Sequence, residues 1–442
     1  MLRLCRDKEL IAMELTRHEV APYVILTCLT TDKFKTGCLS INLLTQLNRE
    51  NAAKNALIPR VLRRGGMEHT DMAAISAALD DLYGARLEPV VRKKGEIQTV
   101  GFYADFIDDR FVPGTQVLER VAALMGELLL RPNTRGGLFQ SAWVESEKEK
   151  LLDRIRSVIN NKSAYASRRL LEQMCAFEDY AVGALGTEEE AESISYQKLS
   201  KHYRALLASS PIEIFYCGSA APKKVLGILR DVLSTLPRGE IDEDLGVDIR
   251  MNAVEEKPRH FTEELDVAQG KLAVGFRLGE CMEDPDPAVI RVFNAVYGGC
   301  LTSKLFTNVR ERLSLCYSVS SACDSFKGIM QVLAGIEFEK YDEALDEIFT
   351  QLDAVRSGDI TEEELSGAKS SVSSALCTVS DDPGELEDFY LSRAIEGVDC
   401  SPAELAELVR AVTPEQVSGL ARGIECDAVY FLRGTEKEDE DE

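Results

Sequence analysis

Residues 297–337 read YGGCLTSKLFTNVRERLSLCYSVSSACDSFKGIMQVLAGIE, and this stretch decides the fold. Gly298-Gly299 predicts a sharp turn. Thr302 or Ser303 can cap a helix that runs to Arg312, because a hydroxyl oxygen accepts from N–H groups that the first turn leaves unpaired. The chain then straightens into a strand at 315–320 that carries Tyr317. A second strand at 330–337 follows the turn at Lys327-Gly328. A helix beside a hairpin-like strand pair predicts α+β architecture with a largely antiparallel sheet and helices covering one face.

Working outward, residues 270–276 read as a strand and 287–296 as a helix. After the quoted stretch, helices are expected at 341–355, 361–378, 405–411 and 414–422, with a last strand at 428–432. The first half follows the same order. Strands are expected at 21–31 and 36–44, helices at 52–64 and 71–83 around Gly65-Gly66, and strands at 86–91 and 97–106 around Lys93-Lys94-Gly95. Long helices at 115–130 and 138–160 follow, then a helix at 196–208 and a strand at 212–217. The strand at 100–106 matches that at 332–338 with an offset of 232, and the strand at 213–218 matches 429–434 with an offset of 216. A slowly drifting offset is what a duplication followed by short gaps leaves. We therefore expect two similar α+β domains, at 1–236 and 263–434. A polar, Pro- and Gly-containing linker at 237–262 joins them, and an acidic tail at 435–442 is expected to be disordered.

Composition narrows the function. The 442 residues include 51 Lys+Arg and 75 Asp+Glu, giving a net charge of −24. A field of that sign repels phosphate backbones and favours basic peptides, so no nucleic-acid partner is expected. No apolar run is long enough to span a membrane, and charges interrupt MLRLCRDKEL too early for a secretory signal. The 12 Cys form no CxxC, which suits reduced thiols in a cytoplasmic protein. GxSxG, Walker-type and GxGxxG motifs are absent, so nothing points to an independent enzyme of other chemistry.

The quoted stretch resembles the second-domain signature of the M16, or insulinase- and pitrilysin-like, metallopeptidase superfamily. The likeness rests on Gly298, Gly299, Ser303, Leu305, Phe306, Val309, Arg310, Glu311, Leu315, Tyr317, Ser318 and Val319. The duplicated layout and length agree with it. The resemblance implies a two-domain half of a clam shell. It also implies that Arg310 and Tyr317 orient substrate and stabilise the oxyanion of a tetrahedral intermediate, acting from the half opposite a zinc site.

Active members carry HxxEH, two zinc-binding His one helical turn apart with a Glu that activates the metal-bound water. The corresponding helix here, KNALIPRVLRR at 54–64, has neither His nor Glu, and Pro59 and Arg60 fall where the motif's Glu and second His would be. The four His, His18, His69, His202 and His260, are far apart in sequence, and His69 reads as a turn residue. Glu145, Glu147 and Glu149 resemble a relic of the third-ligand helix, but no metal role is expected for them and no metal site is expected in this chain.

Superfamily members without the motif pair with a zinc-bearing sister chain. The expectation is therefore a non-catalytic subunit, inactive alone, that lends Arg310 and Tyr317 in trans to a partner with HxxEH and zinc. The substrate would be an extended peptide docking by strand addition. The alternatives are a peptide-binding or scaffold protein of M16 fold, and a homodimer where no partner is present. TDKFKTGCLSINLL and LDDLYGARLEPVVRKKGE further resemble a bacterial non-catalytic group associated with aminopentanol modification of elongation factor P.

Overall fold

The computed structural model describes residues 13–435. The readings of the N-terminal stretch and of the acidic tail beyond Thr435 lie outside the described residues. The chain forms two compact units. The first holds a six-stranded sheet built from β1 (Glu14–Ala21), β2 (Val24–Thr30), β3 (Thr36–Gln46), β4 (Arg86–Lys94), β5 (Ile97–Ile107) and β6 (Ile212–Gly218), in the order β1-β2-β6-β3-β5-β4. The second holds a five-stranded sheet built from β7 (Arg259–Leu265), β8 (Gly270–Arg277), β9 (Cys316–Asp324), β10 (Ile329–Ile336) and β11 (Glu425–Gly434), in the order β7-β11-β8-β10-β9. In each sheet one neighbouring pair is parallel, β2–β6 and β7–β11, and the others are antiparallel.

The helices, in chain order, are α1 (Ala52–Leu62), α2 (Met72–Asp80), α3 (Val117–Leu130), α4 (Ser141–Ser157), α5 (Lys162–Met174), α6 (Glu188–Glu192), α7 (Tyr196–Ser209), α8 (Pro222–Val232), α9 (Pro287–Asn294), α10 (Tyr341–Ser357), α11 (Glu362–Val379), α12 (Pro383–Glu396), α13 (Pro402–Ala411) and α14 (Pro414–Arg422). Their starts are legible chemistry. Ser401-Pro402 and Thr413-Pro414 each open a helix with a capping box closed by Glu404 and Gln416, and Pro at the first helical position has no N–H to waste. No helix among the described residues is long and apolar enough to cross a membrane.

The expectation that helices cover one face of each sheet needs correction. Every residue of β3 from Gly37 to Leu44 is buried, a pattern that requires cover on both faces. Leu39, Ile41 and Leu43 face the main core shared with α1, α3 and α7. On the other face, Cys38 meets the Pro383 carbonyl, Asn42 donates to Glu387, and Leu44 packs on Leu391, all from α12. In the second unit α5 covers the equivalent face, where Leu170 and Met174 pack on Ala273, Ala428 and Tyr430.

The two units are therefore discontinuous in sequence. Arg156–Ala181, from the first half, belongs to the second unit, and Val379–Asp399, from the second half, belongs to the first. The boundaries 1–236 and 263–434 follow the sequence repeat, whereas these two segments are exchanged reciprocally across it. Buried polar groups hold both in place. Glu387 on α12 is 0% exposed and takes both Arg92 nitrogens, at 2.8 and 3.1 Å, together with Asn42. Glu178, just beyond α5, is buried against Arg277 at 2.6 Å and Lys327 at 2.8 Å, and Arg277 continues to Asp427 at 2.9 Å. Lys327 also donates to the Asp248 carbonyl, which pins the middle of the expected linker.

Candidate functional site

The second-unit motif is built around close approach. A side chain on Gly298 would come within 2.9 Å of the Ser321 backbone nitrogen, so this position admits only hydrogen. The expected helix at 302–312 is shorter and more widely wound than read: it spans Leu305–Arg312 and is π-helical, as is Ala295–Gly299 before it, a geometry found often at functional sites. Leu305 and Val309 bury their side chains, which turns Arg310 outward. The helix stops at Ser314, whose φ of 51° breaks the winding, and the Leu315 N–H returns to the Val309 carbonyl. β9 then presents Tyr317 at the free edge of the sheet, 60% exposed.

Tyr317 Oη donates to Glu337 Oε1 at 3.1 Å, and Lys340 holds that carboxylate at 3.3 Å. The hydrogen bond to Glu337 and its charge raise the Tyr317 pKa, so the hydroxyl stays a neutral donor. The Arg310 guanidinium lies over the Phe306 ring at 4.7 Å, with Nε 3.5 Å from Glu311. These contacts lie at the surface.

In the first unit, α1 is the helix that the resemblance sets against the zinc-motif helix, with Ala56 buried and Pro59 lacking an N–H beside Arg60. Of the three Glu expected as a relic, Glu147 on α4 is the buried one. It is buried and paired with Arg64 at 3.1 Å and Lys150 at 2.7 Å, while Glu145 pairs with Lys148. The residues present do not fit zinc. One carboxylate among arginines offers no nitrogen ligands and a repulsive field. Among the described residues no three His, Cys, Asp or Glu side chains gather to hold a metal.

His69 is instead a fastener of the loop after α1. Its Nδ1 lies 2.7 Å from Glu127 Oε2, and the N–H groups of Glu68 and His69 donate to the other oxygen. Burial raises the Glu127 pKa, but these bonds outweigh it and the carboxylate lies below its ordinary value. Gly66 lets the carboxylate in, since a Cβ there would sit 2.1 Å from Glu127 Oε1. His202 is half-buried against Asn55 at 2.6 Å, and burial with the Lys54 charge lowers its pKa to about 4.

The sequence reading missed the cationic set itself. Arg60, Arg63 and Arg64 follow the i, i+3, i+4 spacing of one helical face, a signal present in the sequence. The neighbouring edge strand is also modified. Pro89 pairs with Phe102 but cannot donate, so its nitrogen points away from β5. Leu87 shares that outward phase, and its carbonyl accepts from Arg63 Nε at 3.1 Å. An added peptide strand would find neither group.

The family described as "Peptidase M16 inactive domain" matches residues 193–372, which include Arg310 and Tyr317. "Probable inactive metalloprotease YmfF" of Bacillus subtilis (strain 168) is 32% identical over 409 residues, covering 92% of this chain and 95% of that protein. A conserved protein from Enterococcus faecalis V583, known from its crystal structure, is 27% identical with a TM-score of 0.87, covering 96% of this chain and 100% of that one. The crystal structure of a peptidase M16 inactive domain from Pseudomonas fluorescens shares the fold at 16% identity and a TM-score of 0.77, covering 96% and 99%.

Proposed function

Because the chain belongs to the M16 peptidase family and lacks HxxEH, we propose that this inactive peptidase homologue is the non-catalytic subunit of a zinc peptidase pair. In this reading a cytoplasmic partner bearing HxxEH holds the zinc, which supplies the activated water. Arg310 and Tyr317 reach the partner's site in trans. Tyr317 donates its hydroxyl to the oxyanion that forms on the scissile carbonyl, and Arg310 fixes the substrate carbonyl beside it. The supporting observation is an exposed Tyr317 hydroxyl, hydrogen-bonded to Glu337, and a half-buried Arg310, in a chain whose described residues gather no metal-ligand set. The interrupted edge of β4 fits the same division of labour, with the extended peptide paired on the partner's edge. The resemblance to proteins linked with aminopentanol modification of elongation factor P makes that machinery a place to look for the partner.

The test is affinity capture of the tagged chain from its native lysate, followed by peptide hydrolysis with the recovered complex. We expect a chain of similar size bearing HxxEH, and Tyr317→Phe should cut turnover about 10²- to 10³-fold, the cost of losing one oxyanion donor. Recovery of self-copies alone, or hydrolysis indifferent to Tyr317→Phe, would sink the proposal and leave the scaffold reading. That reading has its own support in the internal partners of both side chains, Glu337 and Glu311.

A further inference from the structure

The mismatch between the zinc position and the residues that fill it points to a different ligand. We propose that the C-terminal end of α1, with Arg60 in its last turn and Arg63 at its C-cap, together with Arg154 of α4, is a binding site for an oxyanion group of carboxylate or phosphate type. The inference concerns the first unit alone and rests on the reading that this position has lost its metal.

The geometry carries it. Arg60 Nε and Arg63 Nη1 are buried, and neither has a hydrogen-bond partner among the described residues. A buried donor left unmade costs about 1–3 kcal/mol, so two in one place are an unmet demand for acceptors. Arg63 is oriented by its bond to the Leu87 carbonyl, which fixes the guanidinium plane. Arg154 is close enough for its charge, after burial, to push the Arg60 pKa down. Like charges held together while partly buried are relieved by an anion between them. Of the carboxylates near Arg60 and Arg63, Glu147 is paired with Arg64 and Lys150 and reaches Arg60 through its charge, and Glu88 reaches both arginines through its charge; neither accepts from Arg60 Nε or Arg63 Nη1. Planar guanidinium forks match carboxylate and phosphate oxygens, and a protein of net charge −24 has no general affinity for anions to confuse the result.

The test is calorimetric titration of the full chain with three probes: inorganic phosphate, a neutral decapeptide with a free C-terminal carboxylate, and the same peptide amidated. Phosphate binding alone assigns a free oxyanion. At least tenfold tighter binding of the free peptide than of its amide assigns a peptide carboxylate. In either case Arg60→Gln and Arg63→Gln should each weaken binding at least tenfold, and Arg63→Lys, which keeps the charge, should restore part of it. Circular dichroism melting of each variant shows that the fold is kept. Absence of binding by all probes, or binding unchanged in Arg60→Gln, overturns the proposal. Because no partner chain is needed, a failed capture experiment and a failed titration refute different statements.

Discussion

Replacing Arg92 by Ala should destabilise the first unit by about 3 kcal/mol, within the range for stranding one member of a buried ion pair. The magnitude follows from what the guanidinium touches. Glu387 is fully buried on α12, and Oε2 meets Arg92 Nη2 at 2.8 Å, while Oε1 is shared between Arg92 Nη1 and Asn42 Nδ2, each at 3.1 Å. Removing Arg92 leaves Asn42 as the remaining donor to a charge with no access to water. Arg92 itself is one-quarter exposed, which places the cost at the lower end of that range. For a unit of this size the melting midpoint should fall by roughly 6–12 °C. Urea unfolding followed by tryptophan fluorescence would read this directly, since Trp143 lies on α4 in the same unit. The companion variant Arg92→Ala/Glu387→Leu, which removes the stranded charge, should recover much of the loss. A cost for Arg92→Ala below about 1 kcal/mol, the value of a surface pair, would refute the claim that α12 is fixed by a buried charge.

Other expectations follow from buried carboxylates. Burial raises the Glu213 pKa to about 7, against the opposing effect of Arg17. The folded state therefore keeps a proton that the unfolded chain releases near its ordinary carboxyl value. That contribution is present at pH 4–5 and is lost as pH rises through 7, so Glu213→Gln should gain up to about 3 kcal/mol over the parent between pH 5 and 8. Equal pH profiles for the two proteins would contradict it. His202 runs the other way: with a folded pKa of about 4, its stabilising contribution holds above pH 6.5 and fades as pH falls toward 4, which a His202→Gln variant should flatten. Glu178→Gln removes the buried carboxylate shared by Arg277 and Lys327, and should cost about 3–5 kcal/mol in chemical denaturation.

The sequence made the sheets and the motif legible because each is written locally. Alternating or continuous apolar runs mark the strands, and the glycines of 298–299 mark a backbone approach. The hairpin partner β1 escaped notice because Glu14–Ala21 is half exposed and its pattern is mostly polar. α5 and α12 were not read for a deeper reason. α5 buries Tyr165, Ala166, Leu170 and Met174, a one-turn stripe that went unread between longer helices, and α12 buries Glu387 and Arg393 among its apolar residues. Their faces are shaped by strands from the other half of the sequence, and local periodicity carries no record of that. The same holds for the arginines of α1. Their spacing was visible, but the absence of acceptors around them is a property of the packed chain.

The reciprocal exchange of α5 and α12 has a consequence for how the chain reaches this state. Neither half of the sequence can finish its own unit. As the chain leaves the ribosome, the face of β3 bearing Cys38, Asn42 and Leu44 is without its cover until residues 383–396 have been made. Closure of that unit then depends on contacts more than 340 residues apart in sequence, as between Asn42 and Glu387. Contacts of such separation are entropically late and slow to form. A half-made chain thus displays an unpaired sheet face, the kind of surface that chaperones bind and that identical copies can cover for one another. Cutting the chain between the repeats should accordingly give two fragments that fold together and not apart, each supplying the helix that covers the other's sheet.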